Sequence, residues 1–366
     1  MKVSVARGEL LDALSVVAKG LSSRTTLPIL SGIHVSAHGQ DLVLQSTDLE
    51  ISIKTSTRAK VERPGQSVLP GRLLNDIVRS LPEAAVSIDV GETGEANVVC
   101  GTSSFSMRTL SADDFPKFPE VSAETTASVP SDTFAGIVHR VSKAVSRDET
   151  RPILTGVLIV MDGPDLRMVA TDSYRLCLSE ITIEGLSGRM EVVVPGRALE
   201  DVARLATNAE SLSVGVSENQ VIFSFGATTF VSRRIEGSFP NYRQLIPKEA
   251  ETRVEVDRRE FLDAIKRVSL MAQHNAPIRL SVAGDEHTLS LGAQTQDVGE
   301  AYEALQVSIT GQDVEIAFNH AYLLDGVSVA EGEKIAIEIV SPLKPGLLKV
   351  AGSEAFVYLL MPVRLG

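Results

Sequence analysis

Arg151-Pro152-Ile153-Leu154-Thr155-Gly156, leading to Thr171-Asp172-Ser173-Tyr174-Arg175-Leu176, is written into the chain more than once. Before it, Leu27-Pro28-Ile29-Leu30-Ser31-Gly32 leads to Thr47-Asp48-Leu49-Glu50 with the same internal spacing. Pro28 and Pro152 lie 124 positions apart, and so do Thr47 and Thr171. A fainter third copy runs from Ala276-Pro277-Ile278-Arg279-Leu280 to Thr295-Gln296, with Pro277 125 positions after Pro152 and Thr295 124 after Thr171. Three units of this length fill the 366 residues almost without remainder. A fixed period governs the fold before any local reading does. It sets the expected domains at 1–126, 127–249 and 250–366.

Within each unit the local pattern also repeats. A short strand is followed by a helix whose apolar face is marked by Leu10, Leu11, Leu14, Val17, Ala18 and Leu21 in the first unit. Phe134, Ile137, Val138, Val141 and Val145 mark it in the second, and Phe261, Leu262, Ile265 and Val268 in the third. Asp257, three residues before Glu260, has the spacing of a capping box. Leu49, Ile51 and Ile53 alternate with polar residues, as in a half-buried strand. Asp162-Gly163-Pro164-Asp165 and Gly284-Asp285 read as hairpin turns. A second helix opens at Pro70-Gly71-Arg72, again 125 positions later at Pro195-Gly196-Arg197, and at Asn319-His320 in the third unit. Two helices against many antiparallel strands make an α+β domain. Linkers are expected at Glu120–Ser128 and Pro247–Thr252.

Composition bounds the function. Apolar residues are 43% of the chain, enough for packed cores. No run reaches membrane-spanning length, and Met1-Lys2-Val3-Ser4-Val5 begins no signal-peptide pattern. Cys100 and Cys177 lack metal-ligand spacing and read as reduced core thiols. The net charge of −12 argues against a nucleic-acid partner unless positive charge is segregated, and on the second helices it is. Arg72 and Arg79 stack two turns apart, opposite Leu74, Ile77, Val78 and Leu81. Arg197 and Arg204 repeat the pair 125 positions on, and Arg259 and Lys266 share the interval on the third unit's first helix. Such a surface would face phosphates by charge and not by base sequence. With no Trp and 4% aromatics, stacking platforms for single strands are not expected.

No Walker-type glycine loop, His-Glu-x-x-His or Cys-x-x-Cys is present, and the six histidines show no ligand spacing, so neither metal nor cofactor is expected. Thr171-Asp172 could suggest a catalytic aspartate, but its echo at Thr47-Asp48 marks a structural strand end. No Ser or Cys has a base to activate it.

Leu27-Pro28-Ile29-Leu30, Thr47-Asp48-Leu49-Glu50, Ala170-Thr171-Asp172-Ser173-Tyr174-Arg175-Leu176, Phe239-Pro240-Asn241-Tyr242-Arg243 and Met361-Pro362-Val363-Arg364-Leu365 together resemble the bacterial sliding-clamp family, the beta subunits of DNA polymerase III. The resemblance runs over the whole chain in the family's order. It implies the DNA clamp fold: three similar domains per chain, two helices on antiparallel sheets in each, and a head-to-tail homodimer forming a six-domain ring. It implies a cytoplasmic scaffold that catalyses nothing. Its implied partners are duplex DNA, the replicative DNA polymerase and the clamp loader. Other polymerases and repair proteins would bind through short clamp-binding peptides.

Residue by residue, the family's DNA-facing cations correspond to Arg24, Arg72, Arg197, Arg204 and Arg279. Arg79 joins them by helical register, and Arg147 and Arg151 by their place before the second-unit motif. The family's partner-peptide groove corresponds to Leu154, Thr171, Ser173, Tyr174, Arg175, Leu176, Pro240, Leu245, Leu359, Met361, Pro362, Val363 and Arg364. A shallower part involves Asn319, Tyr322 and Ser341. Tyr174 stands where the family commonly has His, and Gln244 where it commonly has a basic residue. At the implied dimer interface, Phe105 and Met107 would pack against Leu270 and Met271 of a second copy. Two other classes remain: an enzyme using Asp48 or Asp172, which lacks a supporting constellation, and an open repeat array serving as a protein adaptor.

Overall fold

The computed structural model describes the chain except residues 23–25, 92–93, 120–124, 273–275, 297 and 365–366. Each repeat contributes two helices: α1 (Arg7–Val17) and α2 (Gly71–Ser80), α3 (Ser131–Ser142) and α4 (Gly196–Leu205), α5 (Arg258–Ser269) and α6 (His320–Val329). Their apolar stripes are the expected ones. Leu10, Leu14 and Val17 of α1 are buried, as are Leu74, Ile77 and Val78 of α2. The Asp257 carboxylate caps α5 by accepting from the Glu260 amide at 2.9 Å. Asn319 caps α6, accepting from the amides of Ala321 and Tyr322. No described helix is long and apolar enough to cross a membrane. Both cysteines are free and buried.

Contacts divide the chain into two compact units that do not follow the repeats: Met1–Thr133 with Arg197–Arg234, and Phe134–Gly196 with Ile235–Gly366. The cause is strand pairing that runs from one repeat into the next. In the first unit, an eight-stranded sheet places Thr228–Arg233, the last strand of repeat two, against Ile51–Arg58 of repeat one. In the second, a nine-stranded sheet places Phe356–Leu360, the last strand of repeat three, against Arg175–Thr182 of repeat two. A five-stranded sheet in the first unit ends on Ser103–Arg108, and a four-stranded sheet in the second begins on Gly299–Gln306. All the described pairings are antiparallel, as the period-2 patterns and hairpin turns require.

Two local expectations change. Leu49 is not part of the strand that carries Ile51 and Ile53; it sits in a turn with φ of 77° and is 47% exposed. The neighbouring side chains impose that turn. The Leu49 amide donates to Thr47 Oγ1 at 3.0 Å, and the amides of Glu50 and Ile51 donate to Asp48 Oδ1 at 3.0 and 2.8 Å. The stretch Glu120–Ser128 is not wholly a linker: residues 125–128 open strand Thr125–Pro130, which pairs with Ser211–Val216.

Candidate functional site

The repeated Thr-Asp pair builds the same turn twice. Thr171 Oγ1 accepts from the Ser173 amide at 3.2 Å, and Asp172 Oδ1 accepts from the amides of Tyr174 and Arg175 at 2.9 and 3.0 Å. Ser173 takes φ of 80°, matching Leu49. Asp172 thus serves the backbone, as its echo at Asp48 indicated. The turn delivers Arg175 and Leu176 to the seam between Arg175–Thr182 and Phe356–Leu360. There Arg175 lies opposite Leu360, and Leu176 opposite Leu359.

Leu176 and Leu359 form an apolar floor, and Leu154 is buried at 6% exposure. Tyr242 is buried in the same cluster as the two floor leucines, with Ile153, Phe239 and Ile246 packed against it. Around the floor, large apolar side chains stand in solvent: Tyr174, Leu245, Met361 and Val363 are 60%, 49%, 42% and 37% exposed. Pro240 and Pro362 are half-buried beside them. The terminal segment is fixed in place, since the Met361 amide donates to the Tyr174 carbonyl at 2.9 Å and the Val363 amide to the Ala317 carbonyl at 2.8 Å. Arg364 is exposed. Exposed apolar groups gathered around a buried apolar floor suit a peptide with aliphatic or aromatic anchors.

Beneath this surface Arg175 ties three elements together. Its Nε donates to Asp172 Oδ2 at 3.0 Å. Its Nη1 donates to Asp325 Oδ2 on α6 at 2.6 Å and to the Tyr358 hydroxyl at 3.1 Å. The guanidinium lies 4.3 Å from the centre of the Tyr322 ring. Burial pushes the Tyr358 phenol well above its ordinary range, so it stays protonated beside the arginine. The shallower part of the expected site lies close by: Asn319 caps α6, Tyr322 stacks on Arg175, and Ser341 is half-buried. Asp325, Tyr358 and Tyr242 are groove-building residues absent from the sequence-based set. Tyr242 lies inside the quoted Phe239–Arg243 motif, whereas nothing local signals the other two.

The expected cations fall into distinct settings. Arg72 and Arg79 on α2 and Arg197 and Arg204 on α4 are exposed, each pair on the face away from its helix's buried apolar residues, and none is ion-paired among the described residues. Within α4, Asp201 is buried and lies 3.6 Å from Lys19. Arg147 is exposed. Arg151 is tethered to Asp148 at 2.9 Å and to Ser173 Oγ at 2.9 Å, which attaches it to the groove turn. Arg279 stands on the exposed face of strand Pro277–Ala283, 3.7 Å from Glu315; the opposite face, with Ile278 and Leu280, is buried towards α5. Arg24 lies outside the described residues. Of the interface set, Met107 is buried, Phe105 and Met271 are half-buried, and Leu270 is 71% exposed.

Family models of the DNA polymerase III beta subunit match three successive stretches: the N-terminal domain at residues 1–119, the central domain at 128–241 and the C-terminal domain at 243–364. A beta sliding clamp of Streptomyces coelicolor is 34% identical over 378 residues, covering all of both chains. The crystal structure of the Bacillus subtilis DNA polymerase sliding clamp superposes with a TM-score of 0.96 at 31% identity, and that of a Pseudomonas aeruginosa sliding clamp bound to griselimycin with 0.95 at 30% identity. Each covers both chains completely. The fold is that of a DNA clamp. The chain belongs to the bacterial sliding-clamp family, the beta subunits of DNA polymerase III.

Proposed function

We propose that two copies of this chain close head to tail into a ring around duplex DNA. The ring tethers the replicative polymerase, and the groove beside Leu176 holds short peptides from the polymerase, the clamp loader and other DNA-processing proteins. The work is cytoplasmic and non-catalytic, and domains 1–126, 127–249 and 250–366 are its modules. The observation that carries the reading is the seam between repeats. The last strand of repeat two pairs with Ile51–Arg58, and that of repeat three with Arg175–Thr182, 124 positions on. One more step of 124 gives Gly299–Gln306, whose outer edge has no described partner. The last strand of repeat one, Ser103–Arg108, also lies at a sheet edge. Exposed strand edges invite pairing, and in this reading the two complete each other between copies. The register of Phe230 against Ile53 then sets Phe105 opposite Ala301 of the second copy. Leu270, just past α5, would pack against the same seam, with Met271 beside it.

One seam per chain is apolar enough to hold a peptide. Where it has Leu176 with Leu359 and Leu178 with Val357, the seam of repeats one and two has Ser52 with Val231 and Lys54 with Thr229. The position corresponding to Tyr242 there, 124 residues earlier, is Phe118, whose ring is covered by the Lys54 ammonium at 4.6 Å. The intermolecular seam would offer Glu300 and Tyr302 against Ser106 and Ser104. A ring would therefore carry two grooves.

For DNA, the exposed arginines of α2 and α4, with Arg147, supply positive charge in an acidic chain, and the family likeness adds Arg24 and Arg279. Binding by charge is salt-dependent and indifferent to base sequence. The test is retention: the loaded protein should stay on a nicked circle and leave once the circle is cut. Charge reversal of Arg72, Arg79, Arg197 and Arg204 to Glu should abolish retention. A sequence-specific footprint, or equal retention on linear and circular DNA, counts against encirclement.

A further inference from the structure

Strand Arg175–Thr182 does not stop at the groove. Two residues past Leu176 and on the same face comes Leu178, whose cross-strand neighbour is Val357. These two line a second pocket of about 420 Å³ together with Tyr242 and Ile246. Tyr242 is common to both places, because its side chain is buried in the apolar cluster that holds Leu176 and Leu178 alike. The two places therefore share one packed cluster around a single ring.

The rim of the second pocket is charged. Arg167, Arg243, Lys248 and Lys349 face Glu180 and Glu354, four cations against two carboxylates in a chain of net charge −12. The two carboxylates are already taken. Glu180 accepts from Arg167 Nε at 2.9 Å, and Glu354 lies 2.9 Å from Lys349, which Glu338 also holds at 3.0 Å. Arg243 and Lys248 are exposed and carry no ion pair among the described residues.

We infer that this pocket receives a glutamate side chain flanking the anchor residues of a peptide held in the groove, with Arg243 and Lys248 as its counter-charges. This rests on the groove reading above. Arg243, whose guanidinium lies 5.8 Å from the centre of the Tyr242 ring, and Lys248 have no carboxylate partner among the described residues and so select an anion, and the apolar lining favours a carboxylate carried on an aliphatic stem over a free inorganic ion. From Leu176 to Glu180 is four strand residues, or about 13 Å, so the acidic residue sits about four extended positions from the anchor.

The test uses the full-length protein and five peptides sharing one aliphatic–aromatic anchor pair: one without flanks, two with a four-residue Gln flank at one end or the other, and two with a four-residue Glu flank likewise. In calorimetric titration, one Glu-flanked peptide should bind about fivefold tighter than its Gln counterpart at low salt, and the gain should shrink at about 0.5 M salt, as for exposed charges. Arg243→Ala with Lys248→Ala should erase that gain and leave the flankless peptide's affinity unchanged, which also reports an intact groove. Equal binding of Glu and Gln flanks by the unaltered protein, or a gain that survives in the double variant, overturns the inference. Failure of all five peptides to bind the unaltered protein overturns the groove itself, and this inference with it.

Discussion

Replacing Arg175 by alanine tests whether the groove is held in shape by the charge beneath it. The arginine side chain is 11% exposed, as is that of Asp172, and that of Asp325 is 33% exposed. Removing one partner of a buried ion pair costs about 3–5 kcal/mol, because it strands the other. Here the stranding is partial. Asp172 keeps two backbone amides, and Asp325 keeps Lys143 at 4.0 Å. A loss of about 2–3 kcal/mol is therefore expected, local to the turn, α6 and the last strand. Global unfolding would blur it, since a chain of several domains has no single unfolding free energy. Hydrogen exchange at the Met361 amide, which bonds the Tyr174 carbonyl across the seam, reads it directly. Exchange should speed up about 30- to 150-fold, at tenfold per 1.4 kcal/mol. An acceleration under about threefold would refute the idea that Arg175 braces the groove. If peptide affinity then still collapsed, the guanidinium would have to touch the peptide itself.

Met361→Ala with Leu176→Ala should weaken a clamp-binding peptide at least about 30-fold, because buried anchors act as hot spots worth about 2 kcal/mol or more; unchanged calorimetric affinity would move partner docking to another face. Leu270→Ala with Met271→Ala should shift sedimentation towards monomer, at about 2–5 kcal/mol for each side chain fully buried on association, and a dimer unchanged at low micromolar concentration would reject that placement. Burial holds the His34 imidazole below its ordinary value of 6.5, against the opposing bond from Gln66. Below pH 6.5 the unfolded chain is thus protonated first, and stability falls as pH drops towards the folded value. His34→Phe, which keeps the ring against Phe115 at 5.4 Å, should flatten that part of the pH profile in chemical denaturation; an identical slope would assign it to other groups.

The elements closest to the backbone were the most legible. The Thr-Asp turns, the Asp257 cap, the hairpins and the apolar faces of the helices each depend on residues a few positions apart, so their chemistry is written locally. The proposed groove was readable as far as Leu176, Met361 and Pro362, whose motifs match the family. Its brace was not. Asp325 and Tyr358 reach Arg175 across 150 and 183 positions of chain, and no periodicity encodes such a meeting. Leu49 illustrates the opposite error: alternation placed it in a strand, while the side-chain bonds of Thr47 and Asp48 had already bent the backbone. Arg279 sits where strand alternation puts it, opposite Ile278 and Leu280, but alternation alone does not say which face the helices cover.

The continuity of sheets from repeat to repeat has a consequence for how the chain can be cut. A fragment spanning residues 127–249 would match the sequence period, yet it would carry two bare seams: Thr228–Arg233 without Ile51–Arg58, and Arg175–Thr182 without Phe356–Leu360. Each is an open strand edge with apolar residues beside it, a template for self-association. Such a fragment would tend to polymerise through its own complementary edges rather than remain a soluble module. The sequence period and the compact contact units of this chain are therefore different segments. Limited proteolysis or partial unfolding should release pieces that follow the two contact units, with boundaries falling inside the central repeat.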